Sequence, residues 1–301
     1  MARRYALLDV FTDRVLAGNP LAVVLDAEGL TDRQMQAIAG EFNLSETVFV
    51  EKTANPVHAG RARIFTPQRE LPFAGHPTVG TAVLLGIERA GGSAGSETMI
   101  VIEEKIGLVR CGVAVRSGSG GRAIFDLPSL PKPVQAGLRA DAIASALGLT
   151  ASELGFENHA ASAFTAGVPF AFVPVRDLKT IAKAAPIGSL WQGAFGGDLL
   201  GAFVYCRDAT NKSRHFHARM FAPGAGIAED PATGAAVAAL AGVIAKFDQP
   251  PGGTHRYVVE QGFEMGRPSV IGLEIDMDGG EPAAVRISGD AVIVGRGTLD
   301  I

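Results

Sequence analysis

Three titratable side chains stand where a proton could be moved. Glu46 opens the apolar run Glu46-Thr47-Val48-Phe49-Val50, His76 precedes Pro77, and Asp230 precedes Pro231. A carboxylate beside Val48 and Phe49 loses part of its hydration, which raises its pKa towards the range of a general base or acid near neutral pH. Histidine exchanges a proton near pH 7 at its ordinary pKa. Together the three form an acid–base set. Each also has a plain structural reading: an exposed strand-start glutamate for Glu46, and helix caps for His76 and Asp230. For Asp230 the cap, worth ~1 kcal/mol, is the favoured reading.

His76 and Asp230 belong to a motif written twice. Phe65–Leu85 and Phe221–Leu240 align when His76-Pro77 is laid on Asp230-Pro231, which also brings Gly80 onto Gly234. Proline suits the first helical position, and the residue before it is pushed out of the α region. Both copies therefore read as helix starts with His76 and Asp230 at the N-cap. Both helices are apolar nearly all round, which implies burial. A buried helix start offers N–H groups and a positive dipole end to an anion. The candidate donors are Gly75, His76 and Thr78 in the first copy and Thr233, Gly234 and Ala235 in the second.

Three further segments repeat in the same order. Gly18–Val24 echoes Gly167–Val173, Thr47–Glu51 echoes Ala202–Cys206, and Arg63–Pro67 echoes Arg219–Pro223. The pattern predicts a duplicated α+β chain: two similar lobes, in each of which many short strands surround one buried helix, with one helix start from each half placed to face the other across a cleft. The lobes are placed at 1–128 and 134–283, joined by a proline-rich linker at 129–133. A C-terminal strand at about 284–301 is a candidate to return to the first lobe. Shared residues build the scaffold, so chemistry is sought where the copies disagree. Glu46 stands against Gly201, His76 against Asp230, and Asn19 against Val168. Thr31–Phe42 reads as an amphipathic helix, the 117–121 turn as a hairpin, and Ala284–Ser288 and Ala291–Gly295 as two late strands.

Other classes are disfavoured. The chain has 301 residues, 47% hydrophobic and 19% charged, with a net charge of -4. It has no basic stripe, so nucleic-acid binding is not expected. It has no apolar run of about 18 residues, so no membrane span is expected. Cys111 and Cys206 are far apart in strand-like runs and read as buried free thiols in a reducing cytoplasm. His215 and His217 alternate along one strand without a ligand partner, and His58, His159 and His255 read as loop residues. There is no Gly-x-Ser-x-Gly elbow, no Walker loop and no recognisable cysteine-nucleophile motif, and no G-x-G-x-x-G sits between a strand and a helix. The expectation is proton transfer on a small anionic substrate with neither metal nor cofactor.

The segments Asp9-Val10-Phe11-Thr12, Gly18–Val24, Phe42–Thr47, Glu70–Thr78, Glu229–Gly234 and Gln261-Gly262 together resemble the PhzF-like phenazine-biosynthesis isomerase family. The resemblance runs from Tyr5 to the C-terminus. It implies the diaminopimelate-epimerase-like fold, with two pseudo-repeated lobes, each a β-barrel-like sheet around a central helix, and the active site in the interlobe cleft; it also implies a homodimer and cofactor-independent isomerisation. In the phenazine enzyme the glutamate of the Ser-Glu-Thr motif moves a proton along a dihydro-hydroxyanthranilate ring; Ser45 and Glu46 stand at that motif here. The family's aspartate and histidine correspond to Asp230 and His76, with Asn19, Ser45, Gly75, Thr78, Thr233, Gly234 and Ala235 as substrate-binding positions. Many members carry serine where this chain has Ala235. The diaminopimelate epimerases carry a cysteine at each helix start, so a two-thiol mechanism is not available here. The alternatives are an amino-acid epimerase or racemase, or a non-catalytic small-anion-binding protein on the same fold.

Overall fold

Residues 2–117 and 119–301 are described by the computed structural model. Gly118, in the predicted hairpin turn, lies outside them. The chain divides into two compact units: Met1–Pro128 with Ile287–Ile301, and Ser129–Arg286.

In the first unit the order is β1 (Ala2–Val10), β2 (Asn19–Val24), α1 (Asp32–Phe42), β3 (Glu46–Glu51), β4 (Gly60–Phe65), β5 (Glu70–Leu71), α2 (Gly75–Arg89), β6 (Glu97–Glu104), β7 (Gly107–Ser117) and β8 (Gly120–Asp126). In the second it is β9 (Lys132–Pro133), α3 (Ala140–Ala146), β10 (Ser162–Thr165), β11 (Pro169–Pro174), α4 (Leu178–Lys183), α5 (Gly188–Phe195), β12 (Gly201–Cys206), β13 (Phe216–Ala222), β14 (Ile227–Asp230), α6 (Gly234–Phe247), β15 (Gly253–Gln261) and β16 (Ser269–Asp278). The last strand, β17 (Glu281–Asp300), supplies residues to both.

Strand pairing closes the first unit on itself. β2, β3, β4, β6, β7 and β8 follow one another from β1, and β17 pairs with both β8 and β1. Closure removes the sheet edges. The barrel encloses α2, whose residues from Gly75 to Leu84 are all buried. Small residues permit this. A Cβ on Gly80 would lie 2.6 Å from Leu21 Cδ2 and 2.7 Å from Val10 Cγ2. In the second unit α6 is buried from Ala236 to Ala245, and Gly242 sits against the Phe164 ring in the same way.

The repeat is exact in register at the strands that matter. β2 and β3 run parallel with Leu21 opposite Glu46, and β11 and β12 run parallel with Phe170 opposite Gly201. β4 and β6 place Arg61 opposite Glu103, while β13 and β15 place His217 opposite Glu260. Glu46 and Gly201 are therefore equivalent positions, as are the strand ends Glu104 and Gln261.

Several boundaries differ from the sequence reading. α2 starts at Gly75 with Ala74 as its N-cap, so His76 and Pro77 lie inside the first turn. Proline is tolerated throughout that turn, because none of those N–H groups has an intrahelical acceptor. α6 starts only at Gly234 with Thr233 as its N-cap; Asp230 ends β14 and is not the N-cap. The 129–133 segment is not a free linker, because Lys132 and Pro133 pair with Thr165 and Phe164. The two late strands are one continuous strand. α1 begins as expected, with the Thr31–Gln34 capping box, and both cysteines are buried free thiols.

These contacts make opposite predictions for two glycines. Gly80→Ala must displace Leu21 or Val10 and is expected to lose ~1–3 kcal/mol. Gly40→Ala, on the exposed side of α1 with open space around it, is expected to gain ~0.5–1 kcal/mol through the reduced entropy of the unfolded chain. Denaturant unfolding of the two variants measures both.

Candidate active site

Three backbone starts converge in the first unit. Asn19 begins β2, Glu46 begins the parallel strand β3, and His76 lies in the first turn of α2. Asn19 is fully buried; the Glu46 and His76 side chains are 14% and 5% exposed. The Asn19 amide nitrogen lies 3.4 Å from His76 Nδ1. An amide NH2 only donates, so Nδ1 is the acceptor and the imidazole proton sits on Nε2. That nitrogen lies 3.5 Å from Glu46 Oε2. At that separation the geometry does not complete a hydrogen bond between the two atoms, as is common where a site tightens only around substrate.

Burial controls the charge of this histidine. Desolvation pushes its pKa down to about 3 from the usual 6.5, because the imidazolium would lose its hydration inside the barrel. Burial thus favours the neutral ring, and that ring places Nε2 beside the Glu46 carboxyl group. The sequence reading treated it as a group that titrates near pH 7; the enclosure by the barrel removes that property.

The other predicted residues of this unit divide. Ser45 directly precedes Glu46, at the same end of the sheet. Gly75 and His76 present first-turn N–H groups that an α-helix leaves unbonded internally. Thr78 does not fit the anion-binding expectation. Its N–H donates to Ala74 O at 3.2 Å, and its hydroxyl lies 2.8 Å from that same oxygen and 2.7 Å from Glu104 Oε1.

In the second unit the structure assembles Asp230, Thr233, Gly234 and Ala235 around the start of α6. Asp230 is buried, and its Oδ2 accepts from the Thr233 hydroxyl at 2.6 Å. Thr233 N–H donates to Gln261 Oε1 at 3.0 Å, so this predicted anion donor is also occupied. Gly234 and Ala235 remain as the first-turn donors of α6. Gln261, which entered the sequence reading only as part of the family resemblance, was given no role there. Its Nε2 donates to Asp230 O at 2.7 Å and to Thr233 Oγ1 at 3.0 Å. Its neighbour Gly262, at φ +78°, explains the Gln-Gly pair: a Cβ there would lie 2.6 Å from Pro231 O. A buried glutamine followed by glycine at the end of an alternating strand was the available signal.

The remaining histidines are structural. His217 is hemmed between Glu260 Oε1 at 2.7 Å and Glu264 Oε1 at 2.9 Å, and those carboxylates lift its pKa to about 9 against the cost of burial. It therefore has partners, contrary to the sequence reading, and they are carboxylates. His159 is buried rather than in an open loop, bonded to the Tyr205 hydroxyl and to Asp248. His58 is bonded to Glu103. Among the described residues no group of three or more His, Cys, Asp or Glu side chains is placed to hold a metal ion, and no helix is long and apolar enough to cross a membrane.

The chain is similar to known proteins over almost its whole length. Residues 8–297 match the family model described as phenazine biosynthesis-like protein. An uncharacterized isomerase of Mesorhizobium japonicum is 50% identical, with 99% of each chain covered. The trans-2,3-dihydro-3-hydroxyanthranilate isomerase of Pseudomonas chlororaphis is 33% identical over 98% of each chain. The crystal structure of a Bacillus anthracis phenazine biosynthesis protein of the PhzF family superposes with a TM-score of 0.87 at 26% identity, covering 100% of both chains.

The neutral histidine has a pH consequence. The unfolded chain takes up a proton at His76 near 6.5, whereas the folded chain excludes it until about 3. Stability is therefore expected to fall as pH drops through that window, because the unfolded state binds the extra proton. Nitrogen-15 NMR of the histidine rings is expected to show His76 as the Nε2–H tautomer from neutral pH down to about 4. A His76 signal titrating near 6.5 would contradict the assignment.

Proposed function

Because this chain belongs to the phenazine biosynthesis-like family and is an isomerase, we propose that it moves a proton between carbons of a small carboxylate-bearing substrate, with Glu46 as the base. The observation that carries the reading is the Glu46–His76–Asn19 arrangement. Asn19 fixes the ring, the ring presents a neutral N–H, and that N–H faces the carboxylate. An imidazolium at the same place would compete as a proton donor; the neutral N–H is a far weaker acid, suited to orienting the carboxylate and steadying charge.

In the proposed step Glu46 removes a proton from an acidic C–H. The bonding pair shifts into the substrate's π system, a double bond migrates, and the protonated Glu46 returns the proton to the carbon at the far end. Atoms and charge balance within substrate and glutamate, so the step needs no redox partner. His76 orients Glu46 and steadies the developing charge. The N–H groups of Gly75 and His76, and those of Gly234 and Ala235, are proposed donors to the substrate carboxylate. Ser45 is proposed to contact substrate beside Glu46, and Asp230 to act as a second acid–base or orienting group. The Asp230 carboxylate, held by Thr233, suits either role. Ala235 offers only its N–H where many relatives of the fold carry a serine hydroxyl, so the substrate is proposed to be a carboxylate with fewer polar contacts at that end. A homodimer in the cytoplasm is the proposed form.

The test is solvent exchange. With trans-2,3-dihydro-3-hydroxyanthranilate as the first probe, followed by other small unsaturated carboxylates, the wild type is expected to incorporate deuterium from D2O into the product. Glu46→Gln is expected to lose turnover by on the order of 10²–10⁴-fold, the usual contribution of a general base, with the fold unchanged. Wild-type exchange in Glu46→Gln would sink the assignment. An epimerase reading would instead be favoured by inversion at one carbon without double-bond migration.

A further inference from the structure

Glu104 is the last residue of β6, and its carboxyl group lies buried inside the first unit. It takes no part in the chemistry proposed above. Three observations bear on its state.

The first is a proton count. The Thr78 hydroxyl lies 2.8 Å from Ala74 O and 2.7 Å from Glu104 Oε1. A hydroxyl carries one proton, and a peptide carbonyl only accepts. If Thr78 donates to Ala74 O, the second bond forms only when Glu104 is the donor. The second is solvation. Among the described residues Glu104 Oε2 has no hydrogen-bond partner and no exposure to solvent. A charged oxygen in that position is far costlier than the carbonyl oxygen of a neutral acid. The third is the internal repeat. Glu103 and Glu260 are equivalent by strand register, so Glu104 is equivalent to Gln261, and each ends the strand that follows its central helix. Gln261 is a neutral side chain whose donor end braces the residues leading into α6.

We infer that Glu104 is a neutral carboxylic acid at neutral pH, donating its proton to Thr78, and that it is the positioning residue for the first turn of α2 and hence for His76. It is the acid counterpart of the amide at Gln261. Burial acts in the same direction, raising the carboxyl group to about 8. The titratable group that senses it is the buried Cys111 thiol on β7, itself pushed up by burial and by Glu104. The flanking charges are engaged elsewhere, Glu103 with His58 and Arg61, and Lys105 with Glu70.

The functional weight of the inference rests on His76 belonging to the site, but its test needs no turnover. Infrared difference spectra of wild type minus Glu104→Gln are expected to show the carbonyl stretch of a buried carboxylic acid at neutral pH, fading as the pH rises through about 8. Glu104→Gln, which keeps a neutral donor, is expected to leave the His76 nitrogen-15 resonances at wild-type positions. Glu104→Ala is expected to shift them. Absence of the band at neutral pH would overturn the inference. So would a Glu104→Gln variant that moves the His76 resonances as far as Glu104→Ala does. Should Glu104→Ala fail to fold, the infrared comparison and the Glu104→Gln spectrum still decide it. Failure of the Glu46 assignment would leave the infrared band in place, so the two readings can fail separately.

Discussion

The constraint on which the rest depends is the dryness of a helix start enclosed by a sheet. The first-turn N–H groups of an α-helix have no partner of their own, and α2 begins inside a closed barrel with an alanine at its cap and no side-chain capping bond. Every polar group brought near that end must be neutral or fully paired, because water is not there to compensate. Three side chains meet the requirement in three ways. Asn19 is an amide, His76 is a neutral imidazole, and Thr78 closes its hydroxyl onto the backbone and onto Glu104. The tight packing of Gly80 against Leu21 and Val10 keeps the enclosure closed. Glu46 stands at its margin with some exposure left, which suits a carboxylate that has to meet a substrate.

The duplication separates scaffold from chemistry. Glu103 and Glu260 occupy equivalent places and carry equivalent work: each gathers a threonine and two basic side chains, Thr53, His58 and Arg61 in one unit, Thr210, Arg214 and His217 in the other. Such fully paired networks rigidify a fold. Glu46 has no counterpart of its own kind. Its equivalent is Gly201, where a Cβ would lie 2.5 Å from Phe221 O, so no side chain fits. His76 and Asp230 match in sequence but differ in conformation, one within a helix and the other at the end of a strand.

Much of this was legible from the chain. The repeat, the two central helices and the Glu46 strand follow from hydrophobic period and from the doubled His-Pro and Asp-Pro motifs. What was not legible traces to tertiary context. Helix starts slipped because proline is tolerated anywhere in the first turn, as at Pro77, and equally in the chain ahead of the cap, as at Pro231, so each marks a neighbourhood rather than a residue. The charge state of His76 depends on a barrel that closes through β17, more than two hundred residues away. The roles of Glu104 and Gln261 rest on strand register, which no local pattern encodes. α4 and α5, too short for a periodic signal, were passed over. Asn19 and Glu46 were recognisable because they break a symmetry that the rest of the chain keeps.

The single strand β17 gives the fold an unusual order of completion. Its first residues belong to the unit made of Ser129–Arg286, and the remainder supplies the stave between β8 and β1. During synthesis the C-terminal unit has all its residues once Arg286 has emerged, while the N-terminal barrel still lacks its closing strand. The part of the protein made first is therefore the last that can seal. Until then the sheet around α2 is open between β8 and β1. The closure of the sheet around α2 is a property conferred by the residues of β17. A truncation of those residues would reach the candidate site without touching any side chain in it.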